Sequence, residues 1–379
     1  WSSSWNNCDS LLDITMVCTS LNLIILIFSI FLFMNSLNNY FYLRPTKSRV
    51  VDSKTAILIP ARDEEDNIKN LLSDLSEQIL LSDYSVTVLD DNSTDLTADA
   101  VRSYVNRDEK FELLSGKPLP HDWLGKNYAC HQLAITKSDA NYLVFLDADV
   151  RVSSDAIATA LSELQQKNLD FISPYPRQIA KSWSEHLIQP LLQWSWLSTL
   201  PIKLAQKSSR PSLTAANGQF FVVKTEAYIA SGGHKSIKGE VIDDMELAKS
   251  LKRNGFKGGV TNGSRIASCR MYQNWSQLRN GYQKSLWRAF KEIPNAIVLS
   301  LLLIVFFIYP FIDMFRGSLI GLISYFLVVL SRIITAKLSR GNLISSFLHP
   351  LSISLLIYLL ITSWIQHSRG NLAWKGRKL

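Results

Sequence analysis

From Thr55 onward the apolar positions change period again and again. TAILIPA (Thr55–Ala61) is an unbroken apolar run bounded by charge, which predicts a buried strand. Ile68, Leu71, Leu72, Leu75 and Ile79 then recur at helical spacing. SVTVLD (Ser85–Asp90) predicts a second strand, and Leu96, Val101, Tyr104 and Val105 mark the inner face of a second helix. FELL (Phe111–Leu114) reads as a third strand, Lys126–Lys137 as a helix, and YLVFLD (Tyr142–Asp147) as a fourth strand. A helix over Ser154–Gln166 and a strand at Asp170–Ser173 complete the series, and FFVV follows later. Such alternation predicts an α/β layer: a mostly parallel sheet with helices on both faces. Ligands of these sheets bind at the carboxyl ends of the strands. The charged residues gather there, as Arg62-Asp63-Glu64, Asp90-Asp91 and Asp147-Ala148-Asp149.

Both ends of the chain have a different pattern. Ile14–Met34 is an uncharged apolar block of about the 20 residues that a bilayer crossing needs. Asp9 and Asp13 precede it and Arg44, Lys47 and Arg49 follow, the reverse of a cleaved signal peptide, so it predicts an uncleaved anchor. The first residue is not Met, and the chain is expected to be less than the whole translation product. Three more apolar blocks follow Pro294, at Ala296–Ile312, Ser318–Ala336 and Ile344–Ile365, with Arg332 inside one and His349-Pro350 inside another. Arg44, Lys47 and Arg49 place the middle segment in the cytoplasm by the positive-inside rule. Three crossings after it would leave Arg369, Lys375, Arg377 and Lys378 outside, so one of the C-terminal segments is expected to be re-entrant or interfacial. The expected division is an anchor at 1–45, a cytosolic α/β domain at 50–272, an amphipathic interfacial helix at 273–293 and a membrane region with a basic tail at 294–379. The interfacial helix is WSQLRNGYQKSLWRAFKEI (Trp275–Ile293), where Arg279, Lys284, Arg288 and Lys291 alternate with Trp275, Tyr282 and Trp287. An earlier stretch, WSEHLIQPLLQWSWLSTLPIK, is either plain core or a second element of the membrane boundary.

Composition sharpens this picture only a little. The chain is 47% hydrophobic with net charge +8, which suits anionic head groups or anionic substrates. The basic residues sit beside the apolar blocks rather than along one soluble face, so nucleic acid is not an expected partner. Cys8, Cys18, Cys130 and Cys269 have no metal or disulfide spacing and read as reduced thiols.

Chemistry is suggested at the strand ends. Asp147 and Asp149, at i and i+2 past a strand, can reach one centre, and oxygen-only ligation suits Mg2+ or Mn2+ bridging phosphates. On their own they also read as turn formers or caps. A phosphatase-like use of D-x-D wants a small β-branched residue where Arg151 stands, which argues against that rival. In LDDNSTDLTADAV the Asn92–Asp95 stretch is a helix N-cap, and it leaves Asp90 and Asp91 to accept from the imide N–H of a uracil.

With PARDEE at 60–65, DDNSTD at 90–95, DAD at 147–149 and IDDMELAKSLKRNG at 242–255, the chain resembles the family 2 glycosyltransferases, inverting enzymes of the GT-A fold. PLPHDWLGKNYA (118–129) and GEVIDDMELA (239–248) are similar to the branch acting on polyisoprenoid lipids, which includes hopanoid-associated and carotenoid-acid enzymes. The resemblance implies a GT-A domain in an integral membrane protein, taking a nucleotide sugar, UDP-glucose or a relative, and a lipid acceptor. It implies that Pro60, Ala61, Asp63 and Glu64 line the nucleotide, that Asp91 or Asp90 faces uracil, and that Asp147 and Asp149 hold the metal on the diphosphate. Lys126 would meet phosphate or sugar, and Gly218 would floor the sugar pocket. Asp244 would be the general base, with Asp243 standing where many relatives have Glu. Arg279, Lys284 or Arg288 would offset diphosphate charge. Leu286 occupies the arginine position of the motif found in polymerising relatives, which weakens the alternative of a processive polysaccharide synthase. A non-catalytic membrane protein that binds nucleotide sugar or lipid is the other alternative.

Overall fold

A computed structural model of the chain describes residues 5–290 and 292–369 with the short stretches 373–374 and 377–378, so Lys291 and Lys375 lie outside it. Ten strands form its α/β layer: β1 (Thr55–Ala61), β2 (Tyr84–Asp90), β3 (Phe111–Ser115), β4 (Tyr142–Leu146), β5 (Val150–Val152), β6 (Phe171–Tyr175), β7 (Arg177–Gln178), β8 (Phe220–Lys224), β9 (Gly258–Asn262) and β10 (Ala267–Cys269). Seven of them make one sheet in the order β3-β2-β1-β4-β8-β6-β9, while β5, β10 and β7 make a small second sheet. All neighbours in the large sheet are parallel except β8, which runs antiparallel to β4 and β6.

Successive side chains of a strand point to opposite faces, so each strand feeds two cores. Ile57, Ile59, Val86, Val88, Val144 and Leu146 bury one face against the Glu65–Ser76 and Ala156–Gln166 helices. Ala56, Leu58, Leu143, Phe145, Phe221 and Val223 bury the other against the Gly125–Thr136 and Asp243–Arg253 helices. Each large side chain so buried contributes roughly 1.5–3 kcal/mol of transfer free energy. At the β6–β9 pairing a glycine is obligatory, because a Cβ on Gly258 would stand 2.0 Å from the Phe171 carbonyl oxygen.

Among the described residues four helices are long and apolar enough to cross a membrane: Thr19–Tyr42, Ile293–Phe315, Leu319–Ser339 and Ile344–Ser368. The Trp183–Thr199 helix joins them to the sheet. Its Leu187, Ile188, Leu191 and Trp194 pack with Leu32, Leu278, Phe307, Val328 and Ile353, which makes that Trp-rich stretch core along this face. Trp183, at the other end of the balance, is 61% exposed and stacks on Trp275. Two asparagines fasten the first apolar helix to this assembly. Asn39 donates to the carbonyls of Leu197 and Leu200 at 2.9 and 2.8 Å and accepts from Ile202 N, while Asn35 donates to the Ser198 carbonyl at 3.1 Å. Asn262 at the end of β9 and Ser264 just after it both donate to the Leu338 carbonyl. Arg332 turns inward, its Nη1 3.0 Å from His349 Nδ1 and its guanidinium over the Trp194 ring. A charge inside an apolar helix is tolerated when it faces the bundle interior.

Candidate active site

Because β8 runs against β4, the chain leaving β4 at Asp147 lies beside the chain entering β8, and Asp147 N donates to the Gln219 carbonyl at 3.1 Å. Asp243 and Asp244 open the Asp243–Arg253 helix, where the exposed amides favour carboxylates. Leu247, Ala248 and Leu251 anchor that helix in the core and aim its first turn at the end of β4. Lys126 comes from the start of the Gly125–Thr136 helix. The neighbouring Asn127 amide donates to the carbonyls of Ile237 and Glu240 at 2.8 and 2.9 Å, which ties this helix start to the loop leading into Asp243.

Four separate stretches therefore converge. Lys126 Nζ lies 2.8 Å from Asp147 Oδ1 and 3.4 Å from Asp243 Oδ2. Gly218 N donates to Asp244 Oδ2 at 2.8 Å, and Met245 N donates to Asp244 Oδ1 at 2.7 Å. A Cβ at position 218 would stand 3.3 Å from both Lys126 Nζ and Asp244 Cβ, so glycine lets the backbone close on the carboxylate. With Pro60 and His234 these residues line a pocket of about 20 Å3, room for about one water molecule.

One ammonium serves three carboxylates, and the electrostatics follow from that imbalance. Burial, reinforced by the Asp243 charge, pushes the Asp244 carboxyl up to about 7 against the pull of Lys126 and two backbone amides. Burial likewise lifts Asp147 to about 6 although Lys126 opposes it. Burial works against the Lys126 charge, but Asp147 and Asp243 outweigh it and hold the ammonium well above the ordinary lysine value. The cluster has negative charge to spare, so it attracts a further cation. Its donors are all oxygens, which suits Mg2+ or Mn2+, and such ions are held by one or two carboxylates plus substrate phosphates. Among the described residues no group of three or more His, Cys, Asp and Glu side chains is placed to hold a metal ion, so at most two carboxylates would share one. An open set of this kind fits an ion that arrives with its phosphate ligands.

The remaining sequence-derived residues fall in three places. Asp149 accepts from the Cys269 thiol at 3.3 Å; Cys269 accepts from Gln219 Nε2, and Gln219 Oε1 accepts from Gln178 Nε2. Burial raises the Asp149 carboxyl, and the thiol bond partly offsets that. At the ends of β1 and β2, Asp91 N donates to the Ala61 carbonyl, and the buried Asp91 side chain lies 3.7 Å from Arg62 Nη1. Asp90 accepts from Ser93 N, while Glu64 N donates to Thr97 Oγ1. Asp63, held at φ 50, accepts from both the amide and the hydroxyl of Thr94, so it laces the two loops together. Arg279, Lys284 and Arg288 lie on the Trp275–Phe290 helix, with Arg288 over the Trp287 ring, and none of the three lines the acidic pocket.

Two contributors, Cys269 and His234, had no functional mark in the sequence, and Gln219 was marked only as part of Asn217-Gly218-Gln219, a floor for the sugar pocket. Cys269 and Gln219 lie far from Asp149 along the chain, and only the small second sheet brings the thiol to it. His234 backs the pocket, neutral because burial lowers it to about 3 and with Tyr228 Oη 2.8 Å from its Nδ1. Nothing in GGHKSIK distinguishes it from a surface histidine.

Residues 56–231 match the family model described as glycosyl transferase family 2. Over 345 residues the chain is 29% identical to a 4,4'-diaponeurosporenoate glycosyltransferase of Staphylococcus aureus (strain USA300), covering 85% of this chain and 87% of that protein. Among solved structures, a mannosyltransferase from Pyrobaculum calidifontis in complex with GDP-Man and Mn2+ superposes with a TM-score of 0.53. It is 16% identical and covers 92% of this chain and 99% of that one. That superposition shows the GT-A fold expected from the order of the motifs.

Proposed function

We propose that the chain, whose residues 56–231 match the family 2 glycosyltransferase model, is a glycosyltransferase that moves a sugar from a nucleotide diphosphate sugar, UDP-glucose or a relative, to a polyisoprenoid or similar lipid at a membrane surface. The observation that carries the reading is the meeting of Asp147, Asp243 and Asp244 with Lys126 and Gly218 N at the strand ends. Four apolar helices beside that domain supply the membrane setting, and the S. aureus relative, whose name gives a carotenoid acid as its acceptor, supplies the acceptor class. The chain is accordingly an integral membrane protein with its α/β domain at 50–272 on the cytoplasmic side, the side that Arg44, Lys47 and Arg49 favour.

In this reading Asp244 is the base. A carboxyl pushed up to about 7 is matched to taking a proton near neutrality, and Gly218 N orients it. The acceptor O–H passes its proton to Asp244 Oδ1 or Oδ2 while the acceptor oxygen bonds to the anomeric carbon from the face opposite the diphosphate. The anomeric C–O bond breaks on the other side and the nucleotide diphosphate leaves, which inverts the centre. Lys126, shared by Asp147 and Asp243, sits where a sugar hydroxyl or phosphate oxygen would exchange for a carboxylate. Asp149 and Asp147 would hold Mg2+ or Mn2+, which supplies charge for the departing diphosphate. Pro60, Ala61, Glu64 and the Arg62–Asp91 pair form the nucleotide side, and Asp63 keeps that side together by fastening Thr94.

The test is release of UDP from UDP-sugars by membranes containing the full chain, with Mn2+ or Mg2+ and lipid extract. Asp244→Asn keeps an acceptor for Gly218 N and should lower release by roughly 10²–10⁴-fold. Equal release by the wild type and this variant overturns the assignment.

A further inference from the structure

A separate cavity in the described structure lies outside the acidic pocket. It encloses about 290 Å3 where the Trp183–Thr199 helix meets the end of the Leu319–Ser339 helix and the Ile344–Leu348 turn. Arg177, Arg332, Arg340 and His186 line it, and no Asp or Glu does. Its walls also hold unmet hydrogen-bonding groups. Arg332 Nη2, both amide atoms of Gln189, His186 Nδ1 and Ser346 Oγ have no hydrogen-bond partner among the described residues. Arg332, Gln189 and Ser346 are only 2%, 4% and 1% exposed.

Buried polar groups left unpaired are costly, and a guanidinium is the costliest of these. Water can serve Gln189 and Ser346, but it does not neutralise Arg332, whose one bonded edge meets a histidine ring. A guanidinium edge backed by amide and hydroxyl donors matches the oxygens of a carboxylate or phosphate. Arg177 and Arg340, both exposed, stand at the rim and add attraction there. Trp194, Pro190, Ile179 and Ala336 give an otherwise polar wall one apolar stretch, which the first carbons of a hydrocarbon chain could lie along.

We propose that this cavity binds the anionic head group, carboxylate or phosphate, of a membrane amphiphile, with Arg332 as its counterion. The proposal rests on the membrane reading above but not on the chemistry at Asp244. A chain of hydrogen bonds also runs from the cavity to Asp149. Gln178 lines the cavity and donates to Gln219 at 2.8 Å, Gln219 donates to Cys269 at 3.0 Å, and Cys269 donates to Asp149 at 3.3 Å. An occupant that re-aims the Gln178 amide would therefore be felt at Asp149, one of the two carboxylates proposed to hold the metal.

The experiment uses the full chain in a neutral maltoside detergent, without donor or metal, and follows thermal unfolding during titration with oleate, dodecyl phosphate and inorganic phosphate. Oleate and dodecyl phosphate should raise the wild-type Tm in a saturable way, while inorganic phosphate at equal concentration should not. Arg332→Gln should weaken the apparent affinity at least tenfold. Arg177→Gln and Arg340→Gln, at exposed positions where folding is not at stake, should each weaken it severalfold and flatten its salt dependence. An equal shift from inorganic phosphate would mean a free-anion site and overturn the lipid assignment. Unchanged affinity in the two rim variants, or in Arg332→Gln if it folds, would overturn the cavity assignment. Asp244→Asn should bind both amphiphiles like the wild type, so loss of sugar transfer and loss of this site give different results.

Discussion

Replacing Asp244 by Asn should make the protein a poorer catalyst and a more stable one, and the stability gain should depend on pH. The carboxyl stands at about 7 in the fold because burial and Asp243 penalise its charged form, whereas an unfolded aspartate titrates near 3.9. A raised folded value means that the group's favourable contribution is complete below about pH 4 and is lost as pH rises through about 7. A rise of about 3 units at 1.36 kcal/mol each sets an upper bound of about 4 kcal/mol above pH 7. Because the cleft admits solvent, screening reduces this to about 2 kcal/mol. Asn cannot ionise and can keep the acceptor for Gly218 N, so its variant escapes the penalty, at the loss of the bond from Met245 N, worth about 1 kcal/mol. Thermal unfolding of the detergent-solubilised full chain, without donor or divalent ion, reads the difference from pH 4 to pH 9. The variant should unfold slightly before the wild type near pH 4 and overtake it as pH rises through about 7, by roughly 2–4 °C per kcal/mol of net gain. A variant less stable than the wild type at pH 8, or a difference independent of pH, would sink the argument that Asp244 is a carboxylate held against its charge.

Other outcomes follow from the same geometry. The wild-type kcat/KM should rise with pH through about 7 and then level, while any residual activity of Asp244→Asn should lack that limb; an identical profile in both would refute the base assignment. Lys126→Met removes the one cation from Asp147 and Asp243 and should cost about 3 kcal/mol at pH 8, part of it restored by millimolar Mn2+ in a Tm measurement; no Mn2+ effect would count against an ion at these carboxylates. Gly258→Ala should cost more than about 3 kcal/mol, because its Cβ would sit on the Phe171 carbonyl and the β6–β9 pairing must open; a wild-type Tm would contradict the register. Asn39→Leu should cost about 3 kcal/mol, roughly one for each of its three bonds, and should speed protease cleavage between residues 43 and 52; wild-type cleavage would show the clasp to be idle.

Much of the α/β layer could be read directly from the sequence, because each buried strand there is a short apolar run ended by charge, and each helix has a stripe at 3.6 spacing. β1 begins and ends where the pattern of TAILIPA does. The direction of β8 could not be read. Periodicity reports burial and is blind to polarity, and the excursion through the Trp183–Thr199 helix removes the usual right-handed crossover that would have fixed it. That direction matters, since it is what sets Gly218 beside Asp147. The acidic residues were legible as strand-end and helix-start carboxylates and Lys126 as a candidate contact, yet the pairing of that ammonium with Asp147 and Asp243 was not. Lys126 and Asp243 are joined through Asn127 and the backbone of Ile237 and Glu240, a tertiary staple with no sequence period. Arg332 stood out in the sequence as an anomaly in an apolar block, and its reason, a polar chamber shared with Gln189 and Ser346, exists only once three helices are assembled.

The clasp at Asn35 and Asn39 has a mechanical consequence. A transferase hung from a slack tether would sweep its mouth through a range of heights and sample whatever polar ends rose to meet it. Here the first apolar helix is bolted to the catalytic body at both ends of one peptide turn, so the mouth stands at a constant elevation. On the proposed membrane reading the enzyme would then act as a depth gauge, sorting substrates by how far their reactive end protrudes before any side chain inspects its chemistry.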